Sequence, residues 1–166
     1  MTAFERALSF TLRCEGGYTN HSEDPGGATN WGISQRAYPD LDIRALTREQ
    51  AAELYHRDYW LAAGCDELPG PIAIAVFDCA VHSGISRSLK LLQELVGAVP
   101  DGVLGAGTIA SLNSFCAGRG YESTAEQLVI ARLRFLVRLE KSKGRWTFIE
   151  GFAARCAALA AYVVVR

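Results

Sequence analysis

Two carboxylates stand nine residues apart near the start of the chain, Glu15 and Asp24. Glu15 ends a run with helical periodicity, in which Phe4, Ala7, Leu8, Thr11 and Leu12 recur at the spacing of one helix face. At 100° per residue Glu15 falls within about 20° of Phe4, so it continues the apolar face at the last turn. An acid on a buried face is costly unless it is paired or protonated. Desolvation and the negative end of the helix both favour the protonated form of a carboxyl group there. A carboxyl that keeps its proton near neutrality is suited to general-acid cleavage of a glycosidic bond. The alternative is an ordinary helix-end residue, or one paired with an arginine inside the protein.

Asp24 precedes Pro25-Gly26-Gly27, then Thr29, Asn30, Trp31, Gly32 and Ile33. A residue before proline is biased to extended backbone. The glycines allow a tight return and a ligand's close approach to the chain. A helix-end Glu followed by a polar ribbon carrying an Asp is one way to set two carboxyl groups across a cleft. Glycoside hydrolysis needs such a pair: one acid for the leaving oxygen, one carboxylate for the water or the sugar cation. Thr29 or Asn30 is placed to hydrogen-bond that water. Asp24 is equally suited to capping its own turn.

Elements that must hold these residues are legible as helices. Thr2 and Glu5, Thr47 and Gln50, and Ser123 and Glu126 have capping-box spacing. The first helix stops at Gly16-Gly17. Residues 16–46 are rich in Gly, Asn, Asp and Pro and predict a loop with a small β-hairpin or ribbon. A second helix carries Ala51, Leu54, Tyr55 and Tyr59 and fades near Gly64. Pro69-Gly70-Pro71 opens a third, residues 72–83, apolar almost all round and therefore central. Ser86 caps the next, which ends at Gly97. After the glycine-rich DGVLGAG loop, Thr108 caps a short helix, a long one runs to about Gly144, and a last one contains Trp146, Phe152, Cys156, Leu159 and Val163.

The chain has 166 residues, 49% hydrophobic and 21% charged, with a net charge of -1. That composition supplies one packed core and excludes disorder. It provides no basic footprint for nucleic acid. Five widely spaced cysteines without a CxxC predict reduced, buried thiols. No apolar run is long enough to span a membrane, and the N-terminal stretch lacks signal-peptide character, so synthesis in the cytoplasm is expected. His21, His56 and His82 lack metal-ligand spacing, so no metal is expected. Asp78 and His82 lie four apart on the central helix, either as a satisfied buried pair or as sugar-binding groups on a groove floor. Tyr18, Trp31, Tyr59 and Trp60 suit either stacking on sugars or core packing.

The stretch Glu15-Gly16-Gly17-Tyr18 with Asp24-Pro25-Gly26-Gly27-Ala28-Thr29-Asn30-Trp31-Gly32-Ile33-Ser34-Gln35 resembles the signature of glycoside hydrolase family 108, phage-endolysin-like N-acetylmuramidases that include members tied to protein secretion. The likeness continues through Leu54-Tyr55 with Tyr59-Trp60, Phe77-Asp78 with Ser83-Gly84, and Leu91-Leu92-Gln93. It ends with the Asp101–Thr108 loop and with Arg132, Phe135, Phe148, Gly151 and Arg155.

The resemblance implies a mainly α, lysozyme-like helical domain with a small β-hairpin or ribbon near the N-terminus. Residues 1–90 would form the muramidase region and 91–166 a predicted peptidoglycan-binding helical region, packed into one globular unit. It implies cleavage between N-acetylmuramic acid and N-acetylglucosamine, with Glu15 matching the catalytic glutamate and Asp24 the acid of the DPGG segment. The nine-residue step also resembles the Glu-Asp-Thr arrangement of phage-type lysozymes, which adds Thr29. Tyr18, Asn30, Trp31, Asp78 and His82 become candidates for binding the glycan. No cofactor is implied. A holin-type or secretion partner would carry the enzyme from the cytoplasm to the wall, without stable membrane insertion. His82, Ala106 and Phe152 depart from the residues common in the family, namely Asn, Pro and Trp. The competing readings are a lytic transglycosylase using Glu15 alone and a non-catalytic wall-binding secretion accessory.

Overall fold

The computed structural model describes residues 1–20, 27–144 and 146–164. Asp24 and His21 lie outside the described residues. The first helix, α1, spans Ala3–Glu15. Its N-terminus is closed by a full capping box. Thr2 Oγ1 accepts from the Glu5 amide, and Glu5 accepts from the Thr2 amide. Its C-terminus is set by Gly16 at φ 77°, a left-handed backbone that glycine adopts without Cβ strain. The helix therefore stops with Glu15 as its last residue.

Two short strands follow, β1 (Thr29–Asn30) and β2 (Ile33–Ser34), paired antiparallel with Thr29 opposite Ser34 and Asn30 opposite Ile33. The turn between them is Trp31-Gly32, with φ of 53° and 77°. Positive φ at both central residues is the mirror-type turn whose twist suits a two-residue hairpin. A bulky tryptophan rarely adopts it. Its neighbours hold it there: Trp31 Nε1 donates to the Leu46 carbonyl, and the Trp31 carbonyl accepts from the Tyr55 hydroxyl.

Helix α2 (Arg48–Tyr55) opens on the Thr47–Gln50 capping box. It widens into a π-helical stretch, His56–Leu61, which turns Trp60 inward to donate to Asp66. Helix α3 (Gly70–Ser83) is the centre of the molecule, with Ile72 to Ala80 all buried. Around it pack α1, α4 (Ile85–Val96), α6 (Tyr121–Ser142) and α7 (Ile149–Val164), while α5 (Ala106–Cys116) lies against α4 and α6. The buried apolar residues form one cluster that runs from Ala7 in α1 to Val163 in α7. A mainly α, lysozyme-like fold with one small hairpin is the result.

Three expected helix starts are corrected. Helix α4 begins at Ile85 behind Gly84, α5 at Ala106 behind Gly105, and α6 at Tyr121 behind Gly120. Gly84 and Gly120 turn the chain first, at φ of 88° and 84°, whereas Gly105 leads into α5 in extended backbone. The Thr108 hydroxyl is used elsewhere, accepting from Gln93. The last helix starts at Ile149, beyond Trp146. All five cysteines are free thiols; four are buried and Cys14 is exposed. Among the described residues no helix is long and apolar enough to cross a membrane.

Candidate active site

Glu15 ends α1 with its side chain only 24% exposed. The hairpin turn presses on it. A Cβ added to Gly32 would lie 2.9 Å from both Cβ and Cγ of Glu15, and 2.4 Å from the Tyr55 hydroxyl. Glycine is thus required at position 32 for space as well as for its positive φ. Gly32→Ala is expected to cost about 1–3 kcal/mol through overpacking and to displace the acid. A thermal melt should show the loss. Adding Tyr55→Phe, which removes the nearer clashing atom, should restore part of the stability.

Opposite the hairpin, Arg155 of α7 reaches Glu15 across 140 positions of sequence, its Nη1 donating to Oε1 at 2.7 Å. The same guanidinium donates from Nη2 to Asp78 Oδ1 at 2.7 Å and from Nε to Oδ2 at 3.2 Å. Asp78, on α3, also accepts from Arg132 Nη1 of α6 at 2.5 Å and from the Thr11 hydroxyl of α1 at 3.0 Å. Four helices therefore meet at one fully buried carboxylate. Burial by itself would raise its pKa. The two guanidiniums outweigh that, and Asp78 is held below the usual carboxylate range. Burial works against the charge of Arg155 as well, but its bonds to Asp78 and Glu15 keep it firmly protonated.

The structure alters several sequence expectations. Glu15 is not a lone acid on an apolar face, since Arg155 pairs with it. Asp78 is not a sugar-binding group at the surface, because it has no exposure and its oxygens are occupied by Thr11 and the two arginines. Its partner is not His82. That ring bonds Ser83 through Nδ1 and meets Phe152 edge-on. Burial, with Arg132 and Arg155 nearby, lowers the His82 pKa to about 4, so it is neutral at physiological pH.

Asn30 is buried and its amide is spent on the Ile43 and Leu46 carbonyls, fastening the hairpin to the next loop. Thr29 lies on β1, with its hydroxyl near the Gly27 carbonyl. Trp31 is half-buried, and Tyr18 is 44% exposed beyond the end of α1. Trp60 is core. An open depression of about 520 Å³ adjoins Arg155 and is lined by Cys14, His82, Phe148 and Phe152.

Arg132 and Arg155 are the residues whose place in the site sequence reasoning missed. Both carried the signal that singled out Glu15, a charge on an apolar helix face. Arg132 falls between Leu128 and Leu136 at four-residue steps, and Arg155 between Phe152 and Leu159.

Comparison with known proteins adds to this geometry. The model of a family described as Glycosyl hydrolase 108 matches residues 8–84. That stretch holds Glu15, the hairpin and Asp78, and stops before either arginine. Among solved structures the chain is similar to that of Brucella abortus SagA, at 33% identity over 97% of this chain and 93% of that one, with a TM-score of 0.81. No match was found among curated proteins.

Proposed function

Because this chain belongs to glycosyl hydrolase family 108, and is thus a glycoside hydrolase directed at peptidoglycan, we propose that it cuts the glycan strand between N-acetylmuramic acid and N-acetylglucosamine, with Glu15 as the general acid. The observation that carries this reading is the seat of Glu15. It is fixed between a strained hairpin turn and a buried ion-pair cluster, yet part of its side chain still reaches the surface. Strained backbone and locked carboxylates are the supports a catalytic acid needs.

In the proposed reaction the Glu15 O–H bond breaks and its proton passes to the glycosidic oxygen. The C–O bond breaks with its electron pair going to that oxygen, and water adds to the sugar carbon through its oxygen while the proton it gives up is taken by the second carboxylate and ultimately restores the Glu15 acid. Asp24 is the proposed second carboxylate, steering the water or facing the sugar cation, with Thr29 assisting. A carboxyl separation of about 6.5–9.5 Å would accompany inversion and about 5–5.5 Å retention. Tyr18 and Trp31 are the proposed sugar contacts, since both keep exposed ring area.

Incubation with purified sacculi tests the reading. Soluble muropeptide-bearing glycan fragments should appear. Binding to sacculi with no fragments released would contradict it and favour a silent wall-binding protein.

A further inference from the structure

We propose that Arg155 is the positioning residue of Glu15, anchored on Asp78 and Arg132, so that α6 and α7 belong to the catalytic unit and not to a separable wall-binding module. The inference rests on Glu15 being the acid. It is argued from how the cluster's hydrogen bonds are divided. Arg132 and Thr11 already give Asp78 a charged partner and a hydroxyl. Arg155 spends two of its nitrogens on the same carboxylate, which fixes the plane of its guanidinium. The third, Nη1, then points at Glu15 Oε1 with its direction already set. Two arginines face one buried aspartate, and the one nitrogen of Arg155 that Asp78 does not take is turned to Glu15.

A flexible surface arginine could not do this, because its many rotamers would leave the carboxyl oxygen unfixed. Here Arg155 is 12% exposed and Arg132 1%. With Oε1 engaged, the proton for the glycosidic oxygen is carried on Oε2. When that proton leaves, Arg155 is already in place beside the new carboxylate and nothing has to reorganise.

Arg155→Ala is the primary test, with kcat and KM measured on solubilised murein glycan. We expect KM to stay within about two-fold and kcat to fall about 100-fold, because the loss is in the chemical step. Guanidinium chloride at tens of millimolar, far below denaturing levels, should raise the variant's kcat about ten-fold by refilling the site. The same salt should leave Glu15→Gln unchanged.

Arg155→Lys carries the test if the alanine variant does not fold. It keeps the charge but lacks the fork, and should lose at least about ten-fold in kcat with a near-native melt. Wild-type kcat in either folded variant would overturn the proposal. So would a loss confined to KM, or a loss in Arg155→Ala that guanidinium leaves untouched. Full activity of Glu15→Gln is a separate outcome: it would overturn the assignment of the acid itself.

Discussion

Glu15→Gln should abolish wall clearing while leaving the fold intact. A positioned general acid contributes about 10²–10⁴-fold to rate, so activity is expected to drop by about three orders of magnitude. Glutamine has nearly the same shape, and its carbonyl can still accept from Arg155 Nη1. The hydrogen bond to Arg155 is kept and only the charge of the pair is lost. The stability cost should therefore be about 1–2 kcal/mol, or a few degrees in Tm. Circular dichroism and a thermal melt run beside the clearing assay separate the two effects. A folded Glu15→Gln protein with wild-type clearing would remove Glu15 from the chemistry.

Asp78→Ala should do the reverse and act first on stability. Removing the carboxylate strands Arg132, buried on every side, and Arg155 beside it. Breaking one partner out of a buried ion pair costs about 3–5 kcal/mol, because the charge left behind has lost both water and counter-ion. At about 2–4 °C per kcal/mol for a domain of this size, Tm should fall by about 6–20 °C.

The pH dependence follows from the direction of the shift. Asp78 is held below the ordinary carboxylate value in the fold, whereas in the unfolded chain it titrates near 3.9. Its contribution is therefore complete above that value and is lost as pH falls through the lower, folded one. Acid unfolding of the wild type should steepen below about pH 4, and Asp78→Ala should lack that component. An Asp78→Ala protein melting within about 2 °C of the wild type would show that the cluster contributes little.

Much of this arrangement was legible in residue order. Capping boxes at Thr2–Glu5 and Thr47–Gln50 use only local hydrogen bonds, and both formed as read. The stop at Gly16 and the apolar run of α3 are equally local. The 3.6-residue period placed Glu15 and Thr11 on one face, and both turn toward the Asp78 cluster. What sequence left hidden is long-range. The bonds of Arg132 and Arg155 to Asp78 span 54 and 77 positions, and no local spacing encodes them.

The same distance explains the reading of Asp78. With His82 four residues away, a local pair was the nearest partner on offer, whereas the fold supplies two arginines from other helices. Asn30 misled for a related reason. Its amide was read toward a ligand, but the loop at Ile43–Leu46 returns beneath it and takes both hydrogens. Ser123–Glu126 shows that capping-box spacing alone does not start a helix where a glycine three residues earlier has already turned the chain.

Mass spectrometry of the fragments released from purified, defined murein tests the central claim most directly. If Glu15 protonates the glycosidic oxygen and water completes the reaction at muramic acid, every new reducing end should be N-acetylmuramic acid. Reducing N-acetylglucosamine ends, or 1,6-anhydro ends lighter by one water, would contradict the account.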